Sequence, residues 1–265
     1  MLTMLRALML FFFLFVHTCP TSLAEGDPFA ENFAESTSSG GLKVLFIGNS
    51  LLYVGELPEV FVALVRAQNS QASLKVMEVG GDNYSLGDHI KGNLAQQAIQ
   101  MQGPWDFVIL QEQSSKAYNS PESCYADAKT LDAIVRAARA RPITFEAWSG
   151  LSDSDYYWSH DACKKIAQVT HEDVVPIATA LMYAHQYKIK TDLLAKDDHH
   201  LGNGGLYLAA CVLYAKLLRR SPEGLPSRLY GTSEARKGKV VVDLPVEQTR
   251  QLQNIAWRTV CAPWK

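Results

Sequence analysis

The chain has 265 residues, 48% of them apolar, with 25 basic groups against 27 acidic ones and a formal net charge of −2. That is enough to bury one sizeable α/β core and short for two. The near-even charge excludes an ordinary nucleic-acid binder, which needs a basic face.

In chain order, Arg6 precedes an apolar run over residues 7–16, and Ser22-Leu23-Ala24 gives a small-x-small cleavage pattern ahead of Glu25. The run is too short to span a bilayer comfortably. The expectation is a signal peptide over 1–24 and a secreted or periplasmic product with no stable membrane span once it is cut; an uncleaved anchor is the alternative. Cys19, behind His17 and Thr18, makes a poor lipid-attachment site. Residues 25–42, small and polar and ending in Ser38-Ser39-Gly40-Gly41, read as a flexible leader. Residues 43–265 read as a single domain with an irregular C-terminal extension.

Residues 44–47 are uninterrupted apolar, as in a strand buried on both faces, and the run breaks at Gly48. Leu57, Val60, Phe61, Leu64 and Val65 then recur at helical spacing. A second strand over 74–79 ends in Gly80-Gly81-Asp82-Asn83, and a helix is expected over 86–100. A third strand over 105–110 leads into Gln111-Glu112-Gln113-Ser114-Ser115. Ser120-Pro121 then supplies a cap and a first-turn proline for a helix towards Arg139. Strands are expected over 143–147 and 174–177. Between the two lies a polar loop over 148–159, then a helix through Cys163 and Val169; residues 178–187 look helical.

The patch Asp197-Asp198-His199-His200 comes before a helix that starts at Asn203 or Gly204 and is apolar nearly all round over 206–218, hence buried. An edge strand over 240–242 and a helix over 246–258 finish the chain. Strand and helix alternating five times with short connections predict a parallel sheet covered on both sides. The cysteines after residue 24 are Cys124, Cys163, Cys211 and Cys261, an even number that allows two disulfides in an oxidising compartment. The pairing is open, with Cys124–Cys163 and Cys211–Cys261 favoured and Cys211 as a plain buried apolar residue the alternative.

Ser50 lies just past the carboxyl end of the first strand, where open α/β sheets bind ligands and where the first N–H groups of a helix can receive an anion. A serine there needs a base. Of seven histidines, His200 fits best, because it follows the last strand, precedes a helix and has Asp197 three residues before it. A turn of that length brings the carboxylate to the imidazole N–H, fixing its tautomer. His199 has Lys196 at the same spacing.

Gly48-Asn49-Ser50-Leu51, Gly80-Gly81-Asp82-Asn83 and Asp197-x-x-His200 together resemble, in order, the serine, glycine and final blocks of the SGNH (GDSL-type) hydrolase superfamily, over residues 43–219. The resemblance implies a flavodoxin-like three-layer α/β/α fold with a five-stranded parallel sheet. It implies a serine hydrolase of ester bonds with Ser50 as nucleophile, His200 as base and acid, and Asp197 as orienter. An oxyanion hole would come from the backbone N–H groups of Ser50 and Gly81 and a side-chain amide. Two positions depart from the pattern. Asn49 replaces the usual aspartate, and the third block Gly-x-Asn-Asp is absent, so a glutamine must stand in: Gln113 first, Gln111 second, as in a branch with a Leu-Gln-Glu-Gln-Ser signature.

The expected substrate is an O-acyl ester, by preference an acetyl group on a carbohydrate or a small molecule, with no cofactor and no metal. Acyl transfer through the same acyl-enzyme and non-catalytic carbohydrate binding on the same scaffold are the alternatives. The acidic and histidine cluster at 197–200 has a metal-binding reading, which sensitivity to a chelator would reveal. His89 reads as a helix-face histidine. Trp148, Asp153, Asp155, Tyr156, Tyr157 and Trp158 read either as a sugar-contacting wall or as a solvated loop with buried aromatics.

Overall fold

The structure, a computed structural model, describes residues 41–264. The expected signal peptide, its cleavage site, Cys19 and nearly all of the leader lie outside the described residues. Five parallel strands form the central sheet: β1 (Leu42–Gly48), β2 (Leu74–Gly80), β3 (Phe107–Gln111), β4 (Arg141–Phe145) and β5 (Asp173–Val175). Their order is β2-β1-β3-β4-β5, the flavodoxin-like arrangement expected from the sequence.

Successive side chains of a strand point to opposite faces, and β1 divides its residues that way. Val44 and Phe46 enter one core layer, and Leu45 and Ile47 enter the other. The first layer is closed by α2 (Leu57–Gln68), α8 (Ile177–Gln186), α9 (Asn203–Leu218) and α10 (Val246–Cys261). The second is closed by α3 (Leu86–Gly92), α4 (Leu94–Met101) and α6 (Pro121–Ala137). The helix α7 (Asp153–Thr170) flanks β4 and β5, sending Ile166 into the second layer and packing Cys163 and Ala167 on Val174. Short helices α1 (Ser50–Tyr53) and α5 (Lys116–Asn119) follow β1 and β3 directly.

As its composition requires, α9 is buried on every side from Gly204 to Ala215. α10 lies across it, and Gln253 donates to the Tyr207 hydroxyl and to the Leu225 carbonyl, both at 2.7 Å. The C-terminal extension is more regular than expected, because β6 (Arg228–Tyr230) pairs antiparallel with β7 (Val240–Asp243). It is tied to α2 by Glu59, which accepts the Ser233 N–H at 3.0 Å, and by the Glu56–Arg236 ion pair at 2.7 Å.

Several expectations need correction. The helix over 86–100 is two helices, split at Asn93, whose left-handed φ of 56° ends the first. Trp105 stands before β3, its ring buried and its N–H given to the Ala98 carbonyl at 3.0 Å. The supposed loop up to Ser159 is already helix from Asp153: Ser152 caps it by accepting the Asp155 N–H, and Asp153 and Asp155 suit the positive end of the helix dipole. Neither favoured disulfide forms. Cys124, Cys163 and Cys211 are free and buried, and Cys261 is disulfide-bonded elsewhere.

Burial also sets a pH dependence. The Glu112 and Glu172 carboxyls are each pushed up to about 7, first of all by desolvation, and each keeps one buried oxygen without a partner. From about pH 4.5 to 7 the folded chain therefore holds protons that the unfolded chain has released, so stability falls as pH rises through that window. The loss is worth up to about 3 kcal/mol per group. Thermal melts are expected to drop between pH 5.5 and 8, and Glu172→Gln should flatten the slope; an unchanged slope would place the titration elsewhere.

Candidate active site

The carboxyl ends of β1, β2, β3 and β4 meet on one edge, with Gly48 beside Gly80, Ile47 beside Leu110 and Gln111 beside Phe145. Ser50 leaves this edge as the first residue of α1. Its presentation is fixed by Asn49, which is buried and capped into the turn. The Asn49 Oδ1 accepts the Leu51 N–H at 3.1 Å, its Nδ2 donates to the Tyr84 carbonyl at 3.0 Å, and its own N–H goes to Gln111 Oε1 at 2.8 Å. One residue, by its side chain and its backbone N–H, thus joins the turn after β1 to the loop after β2 and to the end of β3. Gly48 is needed beneath it, because a Cβ there would stand 2.3 Å from Gln111 Oε1.

The aspartate usual at position 49 in the resembled pattern would accept from Leu51 but could not donate to the Tyr84 carbonyl. Asn49→Ala and Asn49→Asp are both expected to destabilise the fold by about 1–3 kcal/mol, the aspartate because it faces a carbonyl with no proton to share. Denaturant melts measure this; an Asn49→Asp protein as stable as wild type would show that the Tyr84 bond contributes nothing.

His200 sits in the loop before α9, where Asp197 organises it. Asp197 Oδ2 accepts from His200 Nδ1 at 2.6 Å, and Oδ1 accepts the N–H groups of His199 and His200, both at 3.0 Å. The His200 side-chain bond, and after it the two N–H donors, hold the Asp197 carboxyl well below the usual carboxylate range. With Nδ1–H committed to Asp197, Nε2 carries the lone pair, and it is buried with no partner. No hydrogen bond joins it to Ser50; in ligand-free sites such bonds often form only with substrate.

The loop after β4 grips this segment from the other side. The Trp148 indole N–H donates to the His199 carbonyl at 2.7 Å. Burial and the nearby His200 charge lower the His199 pKa. Trp148 is only 1% exposed, so it is no part of a sugar-contacting wall; Tyr156 is half-buried on Thr179, and Asp153 and Asp155 belong to the first turn of α7.

Of the two glutamines, Gln111 is fully buried, its carbonyl taken by Asn49 and its amide by the Glu112 carbonyl at 2.6 Å. Gln113 is half-exposed, with Nε2 donating to Asn83 Oδ1 at 3.0 Å and Oε1 accepting from Ser115. Gly81 lies between β2 and Tyr84, whose ring would stand 2.6 Å from a Cβ at that position. Two residues of the site were missed by sequence reasoning. His89 is fully buried on α3 and donates through Nε2 to the Gly48 carbonyl at 2.7 Å, with burial lowering its pKa. Glu112 accepts the N–H groups of Leu86 at 3.2 Å and Gln113 at 2.7 Å, joining the loops after β2 and β3. A polar residue between two glutamines at a strand end was the available signal. Among the described residues no group of three or more acidic, histidine or cysteine side chains is placed to hold a metal ion.

No family model matches the sequence, and no curated protein matches it. Solved structures do. A Bacteroides uniformis structure described as a DUF4886 family protein shares 19% identity over 85% of this chain and 96% of its own, with a TM-score of 0.64. A catalytic mutant of an acetylxylan esterase from Geobacillus stearothermophilus shares 18% identity over 67% and 94%, with a TM-score of 0.55. A Slackia heliotrinireducens protein described as a candidate SGNH hydrolase shares 24% identity over 65% and 97%, with a TM-score of 0.51. At these identities the likeness is one of fold, and the fold is that of the SGNH hydrolases.

Proposed function

We propose that this chain, built on the SGNH hydrolase fold, is a serine esterase that removes O-acyl groups, with acetyl groups on carbohydrate the preferred substrate. The observation that carries the reading is His200, with Nδ1 held by Asp197 at 2.6 Å and Nε2 buried without a partner, together with a serine, Ser50, that opens α1 past the carboxyl end of β1 in sequence. Such an imidazole is set up to take a proton.

In this reading His200 Nε2 accepts the Ser50 hydroxyl proton as the oxygen attacks the ester carbonyl. The imidazolium formed is stabilised by Asp197. The oxyanion is received by the N–H groups of Ser50 and Gly81 and by the Gln113 amide, which its exposure favours over the buried Gln111. His200 then returns the proton to the departing alcohol, and water, deprotonated in turn, releases the acid from Ser50. The likeness to acetylxylan esterases supports the choice of acetyl and carbohydrate.

Export through the segment before Glu25 is part of the same proposal. It is supported by the apolar run and the small-residue cleavage pattern in the sequence. Among the described residues no helix is long and apolar enough to cross a membrane. The deciding assay is hydrolysis of a chromogenic acetate by the purified chain, together with covalent labelling by a fluorophosphonate. Absence of both would remove the esterase reading and leave carbohydrate binding on this scaffold.

A further inference from the structure

Three large aromatic side chains stand in water on α5 and α7. Tyr118 on α5 is 60% exposed, and Tyr157 and Trp158 on the first turns of α7 are 62% and 51% exposed. They form one cluster, with Trp158 edge-on to Tyr118 at 5.0 Å and 61° and to Tyr157 at 5.6 Å and 77°. Edge-to-face contact fixes each ring against its neighbour while its faces stay open, so little conformational entropy remains to be lost when something stacks on them.

Both elements that carry the cluster start from segments that hold the site. α5 is bonded to the candidate oxyanion donor, since Lys116 N–H donates to the Gln113 carbonyl at 3.0 Å and Ser115 to the Gln113 side chain. α7 follows the loop from which Trp148 holds the His199 carbonyl.

We propose that Tyr118, Tyr157 and Trp158 form a stacking surface for a neutral polysaccharide, so that the ester cleaved at Ser50 is borne on a polymer chain. This rests on the esterase reading above for its second half only. The occupant follows from what accompanies the rings. The exposed large aliphatic side chains, Val54, Leu94, Met101, Val240 and Val246, all lie off α5 and α7, whereas a lipid surface or a protein partner would want some of them beside the aromatics. The companions are instead hydroxyl, amide and carboxylate groups: Asn119, Ser120, Asp153 and Ser154, all exposed. A pyranose ring has the matching pattern, a C–H face to lie on an aromatic ring and a rim of hydroxyls to meet polar neighbours. On α7 the residues from Asp153 to His160 include two aspartates and no lysine or arginine, and Lys165, a further turn on, is ion-paired to Asp161 at 2.7 Å, so the turns that carry the rings offer a polyanionic chain no unpaired cation.

The test is affinity electrophoresis of the full chain in gels containing soluble acetylated xylan, glucomannan or hydroxyethylcellulose, with phosphatidylcholine vesicle sedimentation alongside. Wild type is expected to be retarded by at least one of the three polysaccharides and not to sediment with vesicles. Tyr157→Ala/Trp158→Ala should weaken that binding on the order of ten- to thirtyfold, with Trp158→Phe restoring most of it and circular dichroism melts confirming that each variant folds. Retardation equal in wild type and the folded double variant, no retardation by any of the three, or sedimentation with vesicles would each overturn the proposal. Chromogenic acetate turnover by wild type is scored separately. A chain that is retarded through these rings but hydrolyses no acetate keeps the stacking surface and loses the esterase, and the converse result does the opposite.

Discussion

Ser50→Ala is expected to lower turnover of a small acetate ester on the order of 10^4- to 10^6-fold and to abolish fluorophosphonate labelling. The size of the effect comes from what is lost: without the oxygen there is no acyl-enzyme, and the reaction falls back on water placed by the remaining groups. Stability should hardly move, because the Ser50 side chain is half-exposed and α1 is capped by Asn49 rather than by Ser50. Labelling that persists in the alanine protein would assign the nucleophile to another residue.

The second large effect is expected at Asp197. Asp197→Asn should cut kcat on the order of 10^2- to 10^4-fold while leaving the loop intact, since an asparagine oxygen can still accept the N–H groups of His199 and His200. What it cannot do is accept from His200 Nδ1, which Asp197 Oδ2 does at 2.6 Å. An amide nitrogen there donates instead, forcing the ring proton onto Nε2 and removing the lone pair that the Ser50 hydroxyl needs. The combination Ser50→Ala/Asp197→Asn should be no worse than Ser50→Ala alone, because the groups act as a unit. Unchanged kcat in Asp197→Asn, measured on the same ester, would remove Asp197 from the mechanism.

The centre of the sheet was legible because β1 and β3 are buried on both faces, so that residues 44–47 and 107–110 show as uninterrupted apolar runs between glycine-rich or polar breaks. The long buried helix α9 was equally plain. What escaped were features decided by a single residue's backbone or cap. Asn93 divides one amphipathic stretch into two helices, and Ser152 turns a polar stretch into a helix start. The Asp197–His200 contact followed from spacing, since three residues in a turn fix the partners. The choice between Gln111 and Gln113 did not, because β3 ends at Gln111, and the turn that follows rather than the strand's alternation sets where the Gln113 side chain goes. His89 and Trp148 reach the site through hydrogen bonds to backbone carbonyls across 41 and 51 residues, which no local pattern records.

The order in which the layers close has a consequence for synthesis. β1 emerges early, yet α9, which helps cover its Val44 and Phe46 side, comes some 150 residues later, and the flank of α9 is itself sealed only by α10. A nascent chain therefore exposes a sticky aliphatic helix until residues 246–261 have left the ribosome, and domains of this kind settle as whole units. Premature stops or trims ahead of Val246 would yield aggregates and chaperone clients rather than a smaller working protein.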